Sequence, residues 1–594
     1  MYRIIAVVGC LAGALSSAAA VVVTGKVAGA VEVMGLPEEW QLSATVTSVT
    51  DGVERVSLQL SCANARVPPR FKVIMQQPLG DCVGHWRTGA AFNKYIVQDW
   101  RGEACWSSSL ASQAPVVAFY NSDSQNRCTF ACSESLRKVV FRTGVNESMP
   151  GRVGGLVCEA EFFTEPEAPL AAYRVDWLVD VRDVFYAEAL RLAFDWCVTE
   201  LGGEARAPVA AAAFDPIYST WYSYHQNIFA DTIARECAAA VGYGMKTVIV
   251  DDGWQTDDNR GGYAYCGDWR VSTKRFPDFA AHVAQVKAMG MKYMLWYSVP
   301  FIGKHSANFA RFKGKYLSHT ASLGASVLDP RFPEVRRFLV ELYDRALTEW
   351  GLDGLKLDFI DSFRFVGPDP AVAENYAGRD IKSLPLAVDR LMTDIVARCR
   401  AVHPDVLLEF RQSYVGPAIR RYGNMMRVAD CAYGVAQNRV GSLDLRLSSG
   451  TAAVHSDMLA WNLDVPPETA ALQLLNVLFA VPQVSMRMSD LPPAHRDMLK
   501  YWLDFWTTHR ATLMSGELRP LRPDLNYPIV YAFGPGEQIV AVYDAGQTVC
   551  LDPARGTAYV VNATCADRLT VVRGGRLESV AVKPSSVLKL DPTP

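Results

Sequence analysis

Histidine is scarce in this chain, nine in 594 residues, and the scarcity narrows the chemistry it can carry. Proton relays and zinc sites lean on imidazole. The six cysteines from Cys62 to Cys158 have one histidine near them, His85, and their spacing, Cys128-Thr-Phe-Ala-Cys132 included, is not that of zinc ligands. Fourteen cysteines in so long a chain are too few for a disulfide scaffold, although export would lead us to expect one or two bridges among those six. No basic block or stripe occurs and the net charge is −3, which argues against a nucleic-acid partner. Low-complexity linkers and internal repeats are missing as well.

Half of the residues are hydrophobic and a fifth charged, as in a soluble globular protein, and the length predicts two or three domains. Residues 1–20 read as a signal peptide: a positive start at Arg3, an apolar middle without charge, and the small-residue exit Ser16-Ser17-Ala18-Ala19-Ala20. The expected location is therefore secreted, periplasmic or lumenal, and cytoplasmic if that stretch is not a leader. Its Ala, Gly and Ser content makes a weak membrane span, so no stable insertion is expected. Asn146-Glu-Ser and Asn562-Ala-Thr match glycosylation sequons.

Residues 21–205 alternate apolar and polar side chains in short runs, with Asp51-Gly52 as a hairpin turn, and predict an antiparallel β-sandwich. From 206 to 515 the rhythm is strand, loop, helix. Eight strand candidates, starting at Ile217–Trp221 and ending at Val477–Val484, predict a (β/α)8 barrel. Residues 516–594 return to strands and predict a small antiparallel C-terminal domain.

Three of the barrel runs end in carboxylates: Thr247–Val250 runs into Asp251-Asp252-Gly253-Trp254, Leu355–Leu357 into Asp358, and Met426–Ala429 into Asp430. The C-terminal strand edge is where such barrels do chemistry, and carboxylates with aromatics there point to sugar chemistry. Lys356 and Asp358 share one face of their strand while Leu355 and Leu357 take the other. A cation beside Asp358 favours the ionised form that a nucleophile needs, although an inward salt bridge is the bland alternative. Asp430 follows an apolar run, where a proton is held more firmly, so it is the candidate general acid, or else a helix cap. Asp361, three residues past Asp358, reads as a support and not the attacking group, and Asp457 near the seventh strand's end competes for the acid role. Asp251 and Asp252 can accept from neighbouring sugar hydroxyls; with Asp257 and Asp258 they lack the spacing of a calcium loop. Two of Trp221, Trp254, Trp269 and Trp296 are expected to lie flat against a sugar.

Together, Trp221-Tyr-Ser-Tyr224, Asp251-Asp-Gly-Trp254, Gly267-Asp-Trp269 with Arg275-Phe-Pro277, Leu328-Asp-Pro-Arg331 with Pro333-Glu-Val335, and Lys356-Leu-Asp358 resemble the α-galactosidases of glycoside hydrolase family 36 and their clan, the melibiase type. The resemblance implies a β-supersandwich, a barrel and a C-terminal β-domain. It implies Asp358 as nucleophile, Asp430 as acid/base, Asp251 and Asp252 on the sugar's 4- and 6-hydroxyls, and Lys356 and Arg331 on others around the ring. Trp296 would line the subsite; Trp221, Arg411 and Arg439 are this chain's further candidates for binding substrate, Arg411 as a departure from the family pattern. The implied reaction is retaining hydrolysis of terminal α-galactosyl groups from an oligosaccharide or polysaccharide, without metal or organic cofactor. A homo-oligomer stays open. Two departures stand out. Phe410-Arg-Gln-Ser-Tyr-Val-Gly416 replaces the usual Cys-Ser-Gly-Gly-Gly stretch, and Ala429-Asp430 replaces Ser-Asp, with Arg439 further along than expected. The alternatives are a raffinose-synthase-type galactosyltransferase and a carbohydrate-binding protein on the same scaffold.

Overall fold

The computed structural model describes residues 20–147, 154–202, 207–258 and 263–591. Nearly all of the expected signal peptide lies outside these residues. Among the described residues no helix is long and apolar enough to cross a membrane.

The N-terminal part is a sandwich of two six-stranded sheets. Alternation decides the packing: in Val53–Arg66, Val56, Leu58 and Leu60 turn inward and meet Phe71, Phe141 and Trp177 in one core between the sheets. The hairpin at Asp51-Gly52 forms as expected, with Gly52 at φ 75°. A helix, Tyr186–Glu200, closes this part and packs its apolar face on the second sheet.

Eight parallel strands follow, labelled here β1 (Ile217–Ser219), β2 (Thr247–Val250), β3 (Lys292–Ser298), β4 (Gly354–Asp358), β5 (Leu407–Arg411), β6 (Met425–Arg427), β7 (Ala453–His455) and β8 (Gln483–Val484). Each neighbours the next, β8 pairs with β1, and single bridges from His455 to Val481 and from Leu459 to Val484 close the ring. The ends differ from expectation in two places. β1 stops at Ser219, and the short helix Trp221–Tyr224 takes over where strand was expected. β8 keeps two of the eight residues expected for it, because the chain ahead of it runs in turns. The helices start as their sequences dictate: Pro333 takes the first position of Pro333–Glu349, and Asp278 accepts from the Ala281 amide to cap Phe279–Ala288.

The C-terminal part holds a five- and a three-stranded sheet. It is mainly antiparallel, but Glu537–Val542 runs parallel to Thr557–Asn562, and Thr548–Cys550 parallel to Arg568–Arg573. One buried carboxylate ties all three parts. Asp444, on a barrel helix, accepts from Lys94 Nζ at 2.9 Å and Trp86 Nε1 at 3.1 Å on the sandwich side, and from the Tyr527 hydroxyl of the C-terminal part.

Two covalent readings that depend on export find no support among the described residues. Every described cysteine is a free thiol, and Cys128, Cys132 and Cys158 sit separately in the sandwich core, so the expected bridges are not formed. Asn146 and Asn562 are both buried, and Asn562 spends its amide on the Ala566 and Val582 carbonyls, so neither sequon offers a glycan site in this fold.

Candidate active site

β4 delivers the centre of the site. Leu355 and Leu357 enter the hydrophobic core, leaving Lys356 and Asp358 on the inner face as their alternation requires. Asp358 Oδ1 accepts three bonds, from Arg411 Nε at 2.7 Å, the Phe359 amide at 2.8 Å and the Tyr414 hydroxyl at 2.9 Å. Its Oδ2 accepts one, from the Trp296 indole at 3.0 Å. Burial pushes this carboxyl up, but the charges of Arg411 and Lys356 and the indole bond outweigh it and bring the pKa to about 2. The cation in direct contact is therefore Arg411 and not, as expected, the strand neighbour Lys356. Lys356 donates instead to Asp251 at 2.6 Å.

Asp251 and Asp252 sit at the end of β2, both buried. Gly253 makes their turn: its φ is 119°, and a side chain there would begin 2.7 Å from Gln226. Asp252 accepts amide bonds from Gln226 and Gln255, both at 2.6 Å. Burial dominates and pushes its pKa up to about 6. A carboxyl raised in the fold adds nothing to stability at low pH and destabilises progressively between its unfolded pKa of about 3.9 and its folded one, by roughly 3 kcal/mol in full. The stability of Asp252→Asn relative to the parent is thus expected to rise as pH climbs from 4 to 6 and then level off. Melting curves across that range check it, and a pH-independent difference would refute it.

Asp430 lies three residues beyond β6 and differs from expectation. More than half of its side chain, 59%, is exposed, and its Oδ1 accepts from Arg427 Nη2 at 2.8 Å. Partial burial favours the protonated form, but the Arg427 guanidinium, helped by Lys356 and Arg411, holds the carboxyl below its usual range. The apolar environment expected to keep it protonated is thus overridden by a cation from its own strand. Arg427 is fully buried, pairs with Asp457 through Nη1 and lies 3.6 Å from Glu409. Asp457, the competitor for the acid role, is wholly buried and also accepts from Tyr222 at 2.8 Å and the Cys431 amide at 2.7 Å. Asp361 takes no part in these hydrogen bonds of Asp358.

Three further expectations change. Arg331 is fully buried and grips Asp329 and Asp369, each through two of its nitrogens, so it braces loops instead of meeting substrate. Arg439 bonds Asn476 and the Asn526 carbonyl and lies over Tyr543, at the seam with the C-terminal part. Of the four tryptophans only Trp221 is partly exposed. Trp254, Trp269 and Trp296 are buried and pack on one another, with centroids 5.6 and 5.9 Å apart, so Trp296 offers Asp358 its N–H edge and not an open face. Residues the sequence reading passed over as site members are Tyr414, Arg427, Gln226 and Tyr222. Arg427 was in plain view two residues after the start of β6, and its charge inside an apolar strand was the available signal.

The melibiase family profile matches residues 211–435. Alpha-galactosidase Mel36A of Lactobacillus acidophilus is 26% identical over 203 residues, which cover 32% of this chain and 26% of that protein. Probable alpha-galactosidase C of Aspergillus terreus is 22% identical over 428 residues, 66% of this chain and 52% of that one. The chain therefore aligns with about half, or less, of the length of these relatives. Among solved structures, the GH36 alpha-galactosidase AgaA of Geobacillus stearothermophilus superposes with a TM-score of 0.62 at 14% identity, covering 99% of this chain and 86% of that one. Residues 211–435 thus match the melibiase family, and the chain as a whole shares its fold with the solved GH36 alpha-galactosidases.

Proposed function

We propose that the chain is a retaining, exo-acting α-galactosidase that hydrolyses terminal α-galactosyl groups of oligosaccharides by double displacement. The observation that carries this reading is Asp358: a buried carboxylate at a barrel strand's C-terminal end, held ionised, with one oxygen fixed and the other holding a single bond. Asp430 follows β6, two strands over, with an exposed carboxyl that can reach a departing oxygen. Asp251 and Asp252 supply acceptors on the other side, at β2. Support for the sugar comes from the relatives' names and from AgaA structures in complex with stachyose and with raffinose.

In the first step Asp358 attacks the anomeric carbon, the glycosidic bond breaks, and Asp430 gives its proton to the leaving oxygen. In the second, water attacks the same carbon, Asp430 takes the water's proton, and Asp358 leaves as carboxylate. Asp251 stays ion-paired to Lys356 throughout, which keeps it an acceptor for sugar hydroxyls.

The test is release of aryl alcohol by the chain lacking residues 1–20 from aryl α-galactoside, α-N-acetylgalactosaminide, β-L-arabinopyranoside and α-glucoside, with Asp358→Ala as blank. Fastest turnover on the α-galactoside is expected. Preference for another glycoside would keep the mechanism and replace the sugar. Silence on all four, with galactosyl transfer to an added sugar acceptor, would favour the transferase; silence in both assays would favour a binding protein.

A further inference from the structure

The two oxygens of Asp358 are not equivalent. A carboxylate oxygen has two lone-pair directions, and Oδ1 already takes Arg411 Nε, the Phe359 amide and the Tyr414 hydroxyl, at 2.7, 2.8 and 2.9 Å. No approach to Oδ1 is left for a sugar carbon. Oδ2 has the Trp296 indole at 3.0 Å and, among the described residues, no second donor, which leaves it a free direction. The attacking atom is then Oδ2, and Oδ1 becomes the carbonyl oxygen of the glycosyl ester. This assignment rests on the retaining-glycosidase reading above.

From this geometry we propose that Tyr414 and Arg411 act on the second step: they stabilise Asp358 as the leaving carboxylate and so keep the covalent intermediate from accumulating. In the first step the C1–Oδ2 bond forms as the bond from C1 to the aglycone oxygen breaks, and the carboxylate loses its charge. Donors aimed at Oδ1 bind that charge, so they oppose this step or leave it unchanged. In the second step water oxygen bonds C1, the C1–Oδ2 pair returns to Asp358, and the charge reappears over both oxygens. The same donors then act as preorganised stabilisers of developing negative charge. Their net effect is to raise the intermediate relative to both free-enzyme states, an effect on the course of the reaction and not on sugar affinity.

Both residues are built for this role. Tyr414 is fully buried, and burial followed by the neighbouring Asp358 charge raises its phenol well above the ordinary range, so it remains a donor at any working pH. Arg411 is held by three further contacts, Nη1 to the Gln412 carbonyl at 2.8 Å and its guanidinium 5.3 Å from the rings of both Tyr414 and Phe359. Both lie in the stretch Phe410–Gly416 that replaces the glycine-rich loop expected there.

Rapid-quench measurement with an activated aryl α-galactoside tests this on the full-length protein, parent against Tyr414→Phe and Arg411→Gln. Losing one charge-assisted hydrogen bond is expected to slow the second step about tenfold to a hundredfold. Each variant should show a burst of aryl alcohol approaching one per active site, larger than the parent's. Its steady-state kcat should become independent of the leaving group and rise on adding methanol as acceptor. A purely structural role would lower activity without a burst. Variants with no larger burst than the parent, and with the parent's leaving-group dependence, would overturn the inference. The two variants remove different donors, so misfolding of one leaves the other decisive. Silence of the parent on every glycoside would overturn the reading on which the inference rests, and the inference with it.

Discussion

Asp358→Ala is expected to lower kcat on aryl α-galactosides by a factor on the order of 10⁴ to 10⁶, because it removes the atom that forms the covalent bond. The loss itself does not prove a nucleophile; the product of rescue does. Azide admitted to the space left by the carboxylate would attack the anomeric carbon from the nucleophile's side, and the isolated sugar azide should have the inverted, β configuration. No rescue product, or an α azide, would remove Asp358 from that role. The variant's stability offers an independent check. Asp358 has a folded pKa of about 2, below an unfolded value of about 3.9. A depressed carboxyl contributes stability that is fully present above the unfolded pKa and is lost as pH falls through the folded one. The melting-temperature gap between parent and Asp358→Ala should therefore be widest near neutral pH, roughly 2–3 kcal/mol in stability, and shrink towards pH 2.

Asp358 was legible in the sequence for a local reason. Two-residue alternation in Gly354–Asp358 decides which side chains face inward, and no distant residue is needed to know it. The barrel was legible on the same terms, from eight short apolar runs at regular spacing. Local reasoning stopped where partners come from elsewhere. Arg331 looks free in Leu328-Asp-Pro-Arg331, yet Asp369, 38 residues on, takes two of its nitrogens. Arg439 looks like a site arginine until Asn526 of the C-terminal part claims its Nε. Trp254, Trp269 and Trp296 offer no open face because they are buried against one another, which leaves Trp221 as the partly exposed ring of the four.

The charge balance shows the same limit. Alternation put Lys356 beside Asp358, but the register pairs Trp296, Lys356 and Glu409 in one layer, with Ser298 and Asp358 in the next. Lys356 then reaches sideways to Asp251, and Arg411, from the neighbouring strand, meets Asp358. A pattern along one strand cannot reveal that exchange, since it depends on the register between strands, which pairs Lys356 with Glu409 and so sets Arg411 level with Asp358.

Arg427 gives the second large effect, on Asp430. The depressed pKa of Asp430 means that its proton is available only in acid, so kcat/KM on galactosides with poor leaving groups should fall as pH rises towards neutral, while the acid limb lies low, where Asp358 titrates. Substrates with good leaving groups need little protonation, and their alkaline limb should move up. Asp430→Ala should accordingly cost about 10²- to 10⁴-fold on poor leaving groups and far less for the first step on good ones. Azide should then restore turnover on good leaving groups and give the α-configured azide, because the nucleophile remains. Asp457 separates this assignment from its rival. It is the other anion on Arg427, so Asp457→Asn should leave Arg427 more fully committed to Asp430 and shift the alkaline limb to lower pH, without changing dependence on the leaving group. Were Asp457 itself the acid, the same substitution would instead spare good leaving groups and abolish poor ones. A pH–rate profile on two aryl galactosides of different leaving-group pKa distinguishes the two, and burial already weighs against the rival: Asp457 is enclosed, while Asp430 faces solvent.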